Sequence, residues 1–381
     1  MPKKIVKLMV SAMLLLCLFA GCSTTIAVNT LVPAAVNISG YKTIAVRSTL
    51  DSTRWQYPSF WQSYVPVKSA DYKYIGYLGL YSNLDFNASE RITNAATDTI
   101  YKAINTGYFN VVNPTLTDAY VALGRSNGSV RAALLNNKVD AILTTDINNL
   151  YYDEYIVQEI DRGKKLTDEL GIQYSPINFF LVQKYAISIS YVLTDVENNV
   201  IIAADTFSSD MCEAKTKIGH IKNSKGDFEK DWNSISKAST LFINLIKKFA
   251  YDFRTELSPH YKTEYFSFMD NKPKIDSLKP AYKAVRAGDS RTALRLFADE
   301  YARSGHIASG YNAAILYFTL GDTKTAYSLT QELYSKYGLA EAVSLYNHMK
   351  AIDDRKAAAV AQINSEVKSG ASPNSSELAG F

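Results

Sequence analysis

Few residues in this chain suit metal or covalent chemistry. Its 381 residues hold only three cysteines and four histidines. Cys17 and Cys22 fall near the start, which leaves Cys212 alone and excludes a fold stapled by disulfides. Beside Met211 at a strand end, Cys212 reads as a small buried apolar residue. His220, His260, His306 and His348 lie far apart, and none has the spacing of a helical zinc pair, so no metal is expected. Also missing are a Gly-x-Ser-x-Gly elbow, a Gly-rich phosphate loop and a dinucleotide fingerprint. Ser234-Ile235-Ser236-Lys237 matches Ser-x-x-Lys but reads as solvated helix surface, and Asp153-Glu154 and Asp299-Glu300 are adjacent acids with no facing partner in the sequence. The expectation is a non-enzyme with no catalytic residue and no cofactor.

A charge excess is missing too. The 41 basic residues exceed the 37 acidic ones only slightly, and Lys3, Lys4 and Lys7 precede the first acid. The rest of the chain is near neutral and lacks the basic footprint of a nucleic-acid binder, so nucleic acid is not an expected partner.

What the chain does have starts at its N-terminus. The three lysines lead into a largely apolar run from Ile5 to Phe19, too short to span a bilayer comfortably, followed by the small residues Ala20-Gly21. Leu18-Phe19-Ala20-Gly21-Cys22 resembles the lipobox of bacterial lipoproteins, with Phe19 where Leu is usual. The resemblance implies a signal peptide over 1–21 and acylation of Cys22, which would anchor the chain to a membrane without spanning it. Ser23 implies outer-membrane delivery, facing the periplasm. An ordinary cleavable signal with an incidental cysteine is the other reading. Residues 22–38 read as a lipidated tether, and the polar, breaker-rich 368–381 as a disordered tail.

Between these ends the patterns predict two domains. The first, 39–259, is expected to be an α/β (α+β) domain with a mixed sheet flanked by helices. Its parts are a strand at Tyr41–Val46, a helix from Ser89 with Ile92, Ala96, Ile100 and Ile104 on one face, and a strand at Tyr108–Val112 stopped by Pro114. A helix from about Ser129 to Asn136, a strand Val139–Ile147, a hairpin Tyr185–Phe207 and a long helix Asp227–Leu257 follow. The order of Lys42-Thr43-Ile44-Ala45-Val46, Gly107-Tyr108-Phe109-Asn110-Val111-Val112, Val139-Asp140-Ala141-Ile142-Leu143 and Leu193-Thr194-Asp195-Val196-Glu197-Asn198-Asn199-Val200-Ile201 resembles a domain of known envelope lipoproteins. These are the curli-secretion lipoprotein, the outer-membrane activators of penicillin-binding proteins and their relatives; the flanking Leu31-Val32-Pro33-Ala34 and Leu257-Ser258-Pro259 are similar to an uncharacterised bacterial lipoprotein family.

Two insertions interrupt that pattern. The first, 51–86, carries Trp55, Tyr57, Phe60, Trp61 and Tyr64 among ten aromatics. It reads either as a binding surface for glycan, peptide or partner helix, or as a strand pair protecting a sheet edge. The second, 158–180, is rich in mixed charge (Glu159, Asp161, Arg162, Lys164, Lys165, Asp168 and Glu169) and reads as a solvated loop or short helix. Secretion-channel relatives form membrane hairpins there; these charges argue against a lipid-facing band.

After a linker at 260–275, residues 276–367 repeat at an offset of 33: Ala281/Ala314, Gly288/Gly321, Asp289/Asp322, Ala293/Ala326, Leu296/Leu329, Tyr301/Tyr334 and Gly305/Gly338. Gly-Asp with Ala four residues on resembles the inter-helix turn of tetratricopeptide repeats, which implies an all-α repeat domain. Two repeats leave apolar faces open, so capping helices are expected at Leu339–Met349 and Ala351–Val367, with the first repeat leaning on the long helix before Pro259. A plain bundle and a partner-binding groove remain open here. The combined expectation is a lipid-anchored scaffold or activator that binds envelope proteins, in its narrower form an activator of peptidoglycan synthesis. The alternative is a periplasmic glycan- or peptide-binding protein, with or without hydrolytic activity, that uses the aromatic insertion.

Overall fold

The computed structural model describes residues 24–56, 72–76, 83, 85, 87–231 and 233–366. It forms a sheet unit, 34–259 with 362–366, and a helical unit, 24–33 with 260–361. Among the described residues no helix is long and apolar enough to cross a membrane.

The sheet unit is mixed α/β. Its strands β2 (Thr43–Val46) and β5 (Asn110–Val112) run parallel, joined through helix α1 (Ala88–Ile104); helices α2 (Pro114–Ser126) and α3 (Val130–Asn136) then lead to β6 (Ala141–Ile160), also parallel to β2. Strand β6 and strand β9 (Ile177–Asp195) pair from Ala141↔Asp195 to Ile160↔Ile177. At 20 residues β6 extends about 65 Å. Of the region expected to be a charged loop, 158–160 and 177–180 belong to these two strands, while 161–176, with all its named charges but Glu159, is the exposed connection between them and holds the small pair β7 (Leu166–Thr167) and β8 (Gln173–Tyr174). Both edges of the β6/β9 pair are lined. Beside β6 lie β2, β3 (Leu50–Gln56) and β4 (Tyr72–Gly76); beside β9 lie β10 (Val200–Ser208) and β11 (Cys212–Ile221), with β12 (Phe228–Lys230) beyond β11. The aromatic insertion thus contributes β3 and β4 as added strands on β6.

Apolar residues at helical spacing decide which face α1 buries: Ile92, Ala96, Ile100 and Ile104 are at most 1% exposed. They pack with helix α4 (Ala238–Leu257), whose Phe242, Leu245, Phe249 and Phe253 meet Ile147, Tyr152, Ile189 and Tyr191 of the sheet. On the opposite face Ala45, Val139 and Val196 pack with Leu134, and with Tyr120 and Val130, of α2 and α3. Strand β5 ends at Val112 as expected, but Pro114 also opens helix α2, which the sequence reading did not include; its missing N–H is no loss there, and the Asn113 side chain accepts from the Leu116 amide at 2.9 Å.

Helix α4 begins at Ala238, not Asp227. Upstream, Phe228–Lys230 pairs with Gly219–Ile221 instead of coiling. The first-turn amides are met by a distant segment: Ala238 N–H donates to Asn83 O at 2.8 Å, and the Ser239 amide and hydroxyl donate to the Asp85 carboxylate. Next to this cap lies a buried polar network. The Tyr152 hydroxyl donates to Glu154 Oε2 at 2.6 Å, and Gln183 Nε2 donates to Tyr152 Oη and to Ser236 O, each at 2.9 Å. Glu154 is 1% exposed, and burial followed by this carboxylate pushes the Tyr152 hydroxyl well above its ordinary range.

In the helical unit, residues expected to be tether and linker form a ribbon. Strand β1 (Thr25–Val32) pairs antiparallel with β13 (His260–Ser267), from Thr25↔Ser267 to Val32↔His260. Its alternating burial turns Ile26 and Val28 toward the helices. Helices α5 (Lys279–Arg286), α6 (Ser290–Ser304), α7 (Ile307–Thr319), α8 (Thr323–Tyr337) and α9 (Ala340–Asn364) follow. One helix of 25 residues stands where two capping helices were expected, because the seam Ala342, Leu345, Met349, Ile352 and Ala359 continues without a breaker. The first repeat is covered by Phe266 and Phe268 of the ribbon strand and the residue run after it, while the long helix expected there belongs to the core of the sheet unit.

Candidate functional site

The repeat-defining residues occupy equivalent places in two helical hairpins. Gly288 and Gly321 turn the chain with φ of 77° and 94°, and the next residues cap the following helices. Asp289 accepts from the Thr292 amide, and Asp322 from the Thr325 amide, both at 3.1 Å. Hydrogen bonds from Thr292 hold the Asp289 carboxyl below the usual carboxylate range. Ala293 and Ala326 are fully buried where the helices approach. The hairpins end alike, with Gly305 and Gly338 left-handed and donating to Tyr301 O and Tyr334 O at 2.8 Å.

Beside the second turn is a recess of about 390 Å³. One wall is the ribbon, Val28 to Leu31 of β1 with Tyr261 of β13; the others are Gly321 of the turn, Thr323 at the start of α8, and Ile352, Asp353 and Lys356 of α9. Its apolar floor comes from Phe318 and Ile352, 6% and 1% exposed. The Tyr327 hydroxyl donates to Asp353 Oδ2 at 2.5 Å, and burial, reinforced by that carboxylate, raises it above its ordinary range. The two-stranded ribbon places β13 on one side of β1 only, so the other edge of β1 carries no strand among the described residues. An apolar floor, a polar rim and an open strand edge suit an extended peptide better than a small molecule held on all sides.

The remaining sequence candidates are placed less closely. Trp55 belongs to β3; Cys22, Tyr57, Phe60, Trp61 and Tyr64 lie outside the described residues. Cys212 is half-buried against the core of the sheet unit. Among the described residues no group of three or more His, Cys, Asp or Glu side chains is arranged to hold a metal. His306 is committed to Ser309 Oγ at 2.8 Å and Pro273 O at 3.1 Å. The resemblance motifs converge at one end of the sheet: Asp140 accepts from the Lys42 and Thr43 amides at 3.0 and 2.9 Å, and Asp195 accepts from the Tyr41 hydroxyl and the Asn198 amide, both at 2.9 Å. They fasten strand ends.

Sequence reasoning missed the β1 wall of the recess. Its signal was present as the alternation Ile26, Val28, Thr30, Val32.

No family model and no curated protein matches the chain. Among solved structures, a homologue of the neuraminyllactose-binding hemagglutinin from Helicobacter pylori is 8% identical, with 60% of this chain and 91% of that one covered at a TM-score of 0.32. The C-terminal domain of LpoB from Salmonella enterica is 11% identical over 46% of this chain and 87% of its own, at 0.20. A lipoprotein from Neisseria meningitidis is 11% identical over 55% and 99%, at 0.23. Superpositions at this level share little geometry, and nothing about this chain's partners follows from them.

Proposed function

We propose that the chain is a lipid-anchored protein of the bacterial cell envelope, at the outer membrane facing the periplasm, and that it docks an extended segment of another envelope protein along the free edge of β1. The role is non-catalytic: a scaffold or activator. The observation that carries it is the recess itself, where the second repeat turn and α9 meet β1, a strand whose other edge carries no strand among the described residues. Backbone pairing to β1 would supply affinity, and the pocket over Phe318 and Ile352 would select one side chain of the partner. Acylation of Cys22 rests on the lipobox-like Leu18-Phe19-Ala20-Gly21-Cys22.

Photo-crosslinking in cells tests this. A photoreactive residue replacing Thr323 or Lys356, at the recess, is expected to trap the same envelope protein. One replacing Gln331, exposed elsewhere on α8, is expected to trap none. If all three positions give the same products, or the recess positions give none, the proposal fails. Addition of the chain to a peptidoglycan synthase tests the narrower activator role, for which a rise in turnover is expected.

A further inference from the structure

A second recess of the helical unit lies at the opposite end of β1, next to the residue that the proposed function acylates. Its volume is about 290 Å³, and its lining includes Thr24, Asn271 and Tyr282 with the charged Asp270, Lys279 and Arg286. Thr24 is fixed there, since its carbonyl accepts from the Phe268 amide at 2.8 Å. The floor is rigid: fully buried Asn312 receives the Met269 amide at 2.7 Å and donates to Tyr282 Oη at 3.0 Å, and the Tyr282 hydroxyl donates to Met269 O at 2.6 Å.

Its rim is basic. From Asp270 to Arg286 there are Lys272, Lys274, Lys279, Lys283 and Arg286 against Asp270 and Asp276. Asp270 pairs with Lys272 at 3.3 Å and Asp276 with Lys279 at 3.2 Å, while Lys283 and Arg286 make no ion pair among the described residues. Lys279, Lys283 and Arg286 fall four and three residues apart, on one exposed stripe of α5. On the outer face of the ribbon, Tyr265 is 66% exposed two rungs from the Thr25↔Ser267 end. Tyrosine in that setting suits a membrane interface.

Covalent reach supplies the orientation. Only Ser23 separates Cys22 from Thr24, so an acyl chain on Cys22 enters the membrane within about 7 Å of the recess wall. That distance is inside one Debye length, so the recess wall lies where the negative surface potential of a bilayer still attracts basic residues. We propose that this recess with Lys279 and Arg286, and Lys283 beside them on α5, binds the phosphates of anionic lipid headgroups, and so holds this end of the helical unit against the membrane. The inference rests on the acylation of Cys22 for its orientation.

Vesicle co-sedimentation tests it with the chain from residue 22 onward carrying Cys22→Ser, so that no acyl chain contributes. Binding is expected to vesicles of equal parts phosphatidylcholine and phosphatidylglycerol and not to phosphatidylcholine alone. Lys279→Gln and Arg286→Gln should each weaken it about fivefold, additively, and Lys324→Gln on α8 should leave it unchanged. Matching circular-dichroism melts keep these comparisons valid. Equal binding to both vesicles or equal loss with Lys324→Gln would each overturn it, as would calorimetric binding of inorganic phosphate with no binding to vesicles, which would mark a small-anion site. The mass of the mature N-terminus, measured separately, tests acylation: an unmodified Cys22 defeats the anchoring, whatever the vesicles show.

Discussion

Phe253 of the sheet unit and Phe297 of the helical unit are both fully buried, yet different stretches of chain bury them. Phe253 stacks edge-on against Phe207 at 4.7 Å and Tyr191 at 6.0 Å, residues of two strands well upstream. Phe297 meets Tyr282 at 5.0 Å, from the preceding helix of its own hairpin. The same contrast runs through both units. The helical unit is assembled from neighbours in sequence and closed by one long-range element, the β1/β13 ribbon. The sheet unit adds to its local hairpins, β9 with β10 and β11 with β12, many remote pairings: β2 with β6, α1 with α4, and the Asn83 and Asp85 groups that start α4. Local contacts form at small loop-closure cost, whereas remote ones must repay that entropy from burial.

If the two units differ in range and not in packing quality, truncating either phenylalanine should cost the same. Phe253→Ala and Phe297→Ala are each expected to lose about 3–5 kcal/mol by urea unfolding. Their kinetics should differ, with the sheet unit refolding more slowly. A tolerated Phe297→Ala would break the comparison, since it would mean that the helical unit packs loosely and owes its shape to caps and turns.

Range also explains what could be read in the sequence. Helix α1 was legible because Ile92, Ala96, Ile100 and Ile104 all meet one surface, and the 33-residue repeat because Gly288/Gly321 and Asp289/Asp322 do local work at turns. The far part of the β6/β9 hairpin was not. Asp153 and Glu154, neighbours on opposite faces of β6, are both buried, so the alternation that signals a half-buried strand disappears there. The start of α4 was hidden for a related reason: the spacing of Phe228, Trp232 and Ile235 continues a helical seam, and nothing nearby in sequence reveals that Asp85 supplies the cap. Of the recess, Gly321 was found through the repeat. Its β1 wall was overlooked because a segment next to a lipobox-like cysteine reads as tether, although its alternation was plain.

The repeats themselves allow a finer comparison. Gly338 opens onto space, so Gly338→Ala should cost only the left-handed penalty of about 1–2 kcal/mol. At Gly305 a Cβ would stand 2.8 Å from Tyr337 Oη, and Gly305→Ala should cost more. Adding Tyr337→Phe should bring the Gly305→Ala penalty, measured by thermal unfolding, down to that of Gly338→Ala. A penalty that Tyr337→Phe leaves untouched would place the strain in the backbone instead.

The smallest expected effect separates the repeats most cleanly. At the offset of 33, buried Glu300 corresponds to buried Leu333, so one hairpin carries a carboxylate where the other carries a hydrocarbon. Arg303 donates to Glu300 Oε2 at 2.6 Å and the Ser304 hydroxyl to Oε1 at 2.7 Å, which holds this carboxyl below the usual range. A lowered folded-state pKa stabilises fully above the unfolded value of about 4.3, and that contribution fades as pH falls through the folded-state value. Glu300→Gln should therefore be less stable than the parent chain at neutral pH, with the gap closing in acid. Leu333→Met, a volume-conserving change at the equivalent site, should show a gap that does not move with pH. A constant gap for Glu300→Gln would mean that the Arg303 and Ser304 contacts hold the amide as well as the carboxylate, leaving shape alone to distinguish the two hairpins.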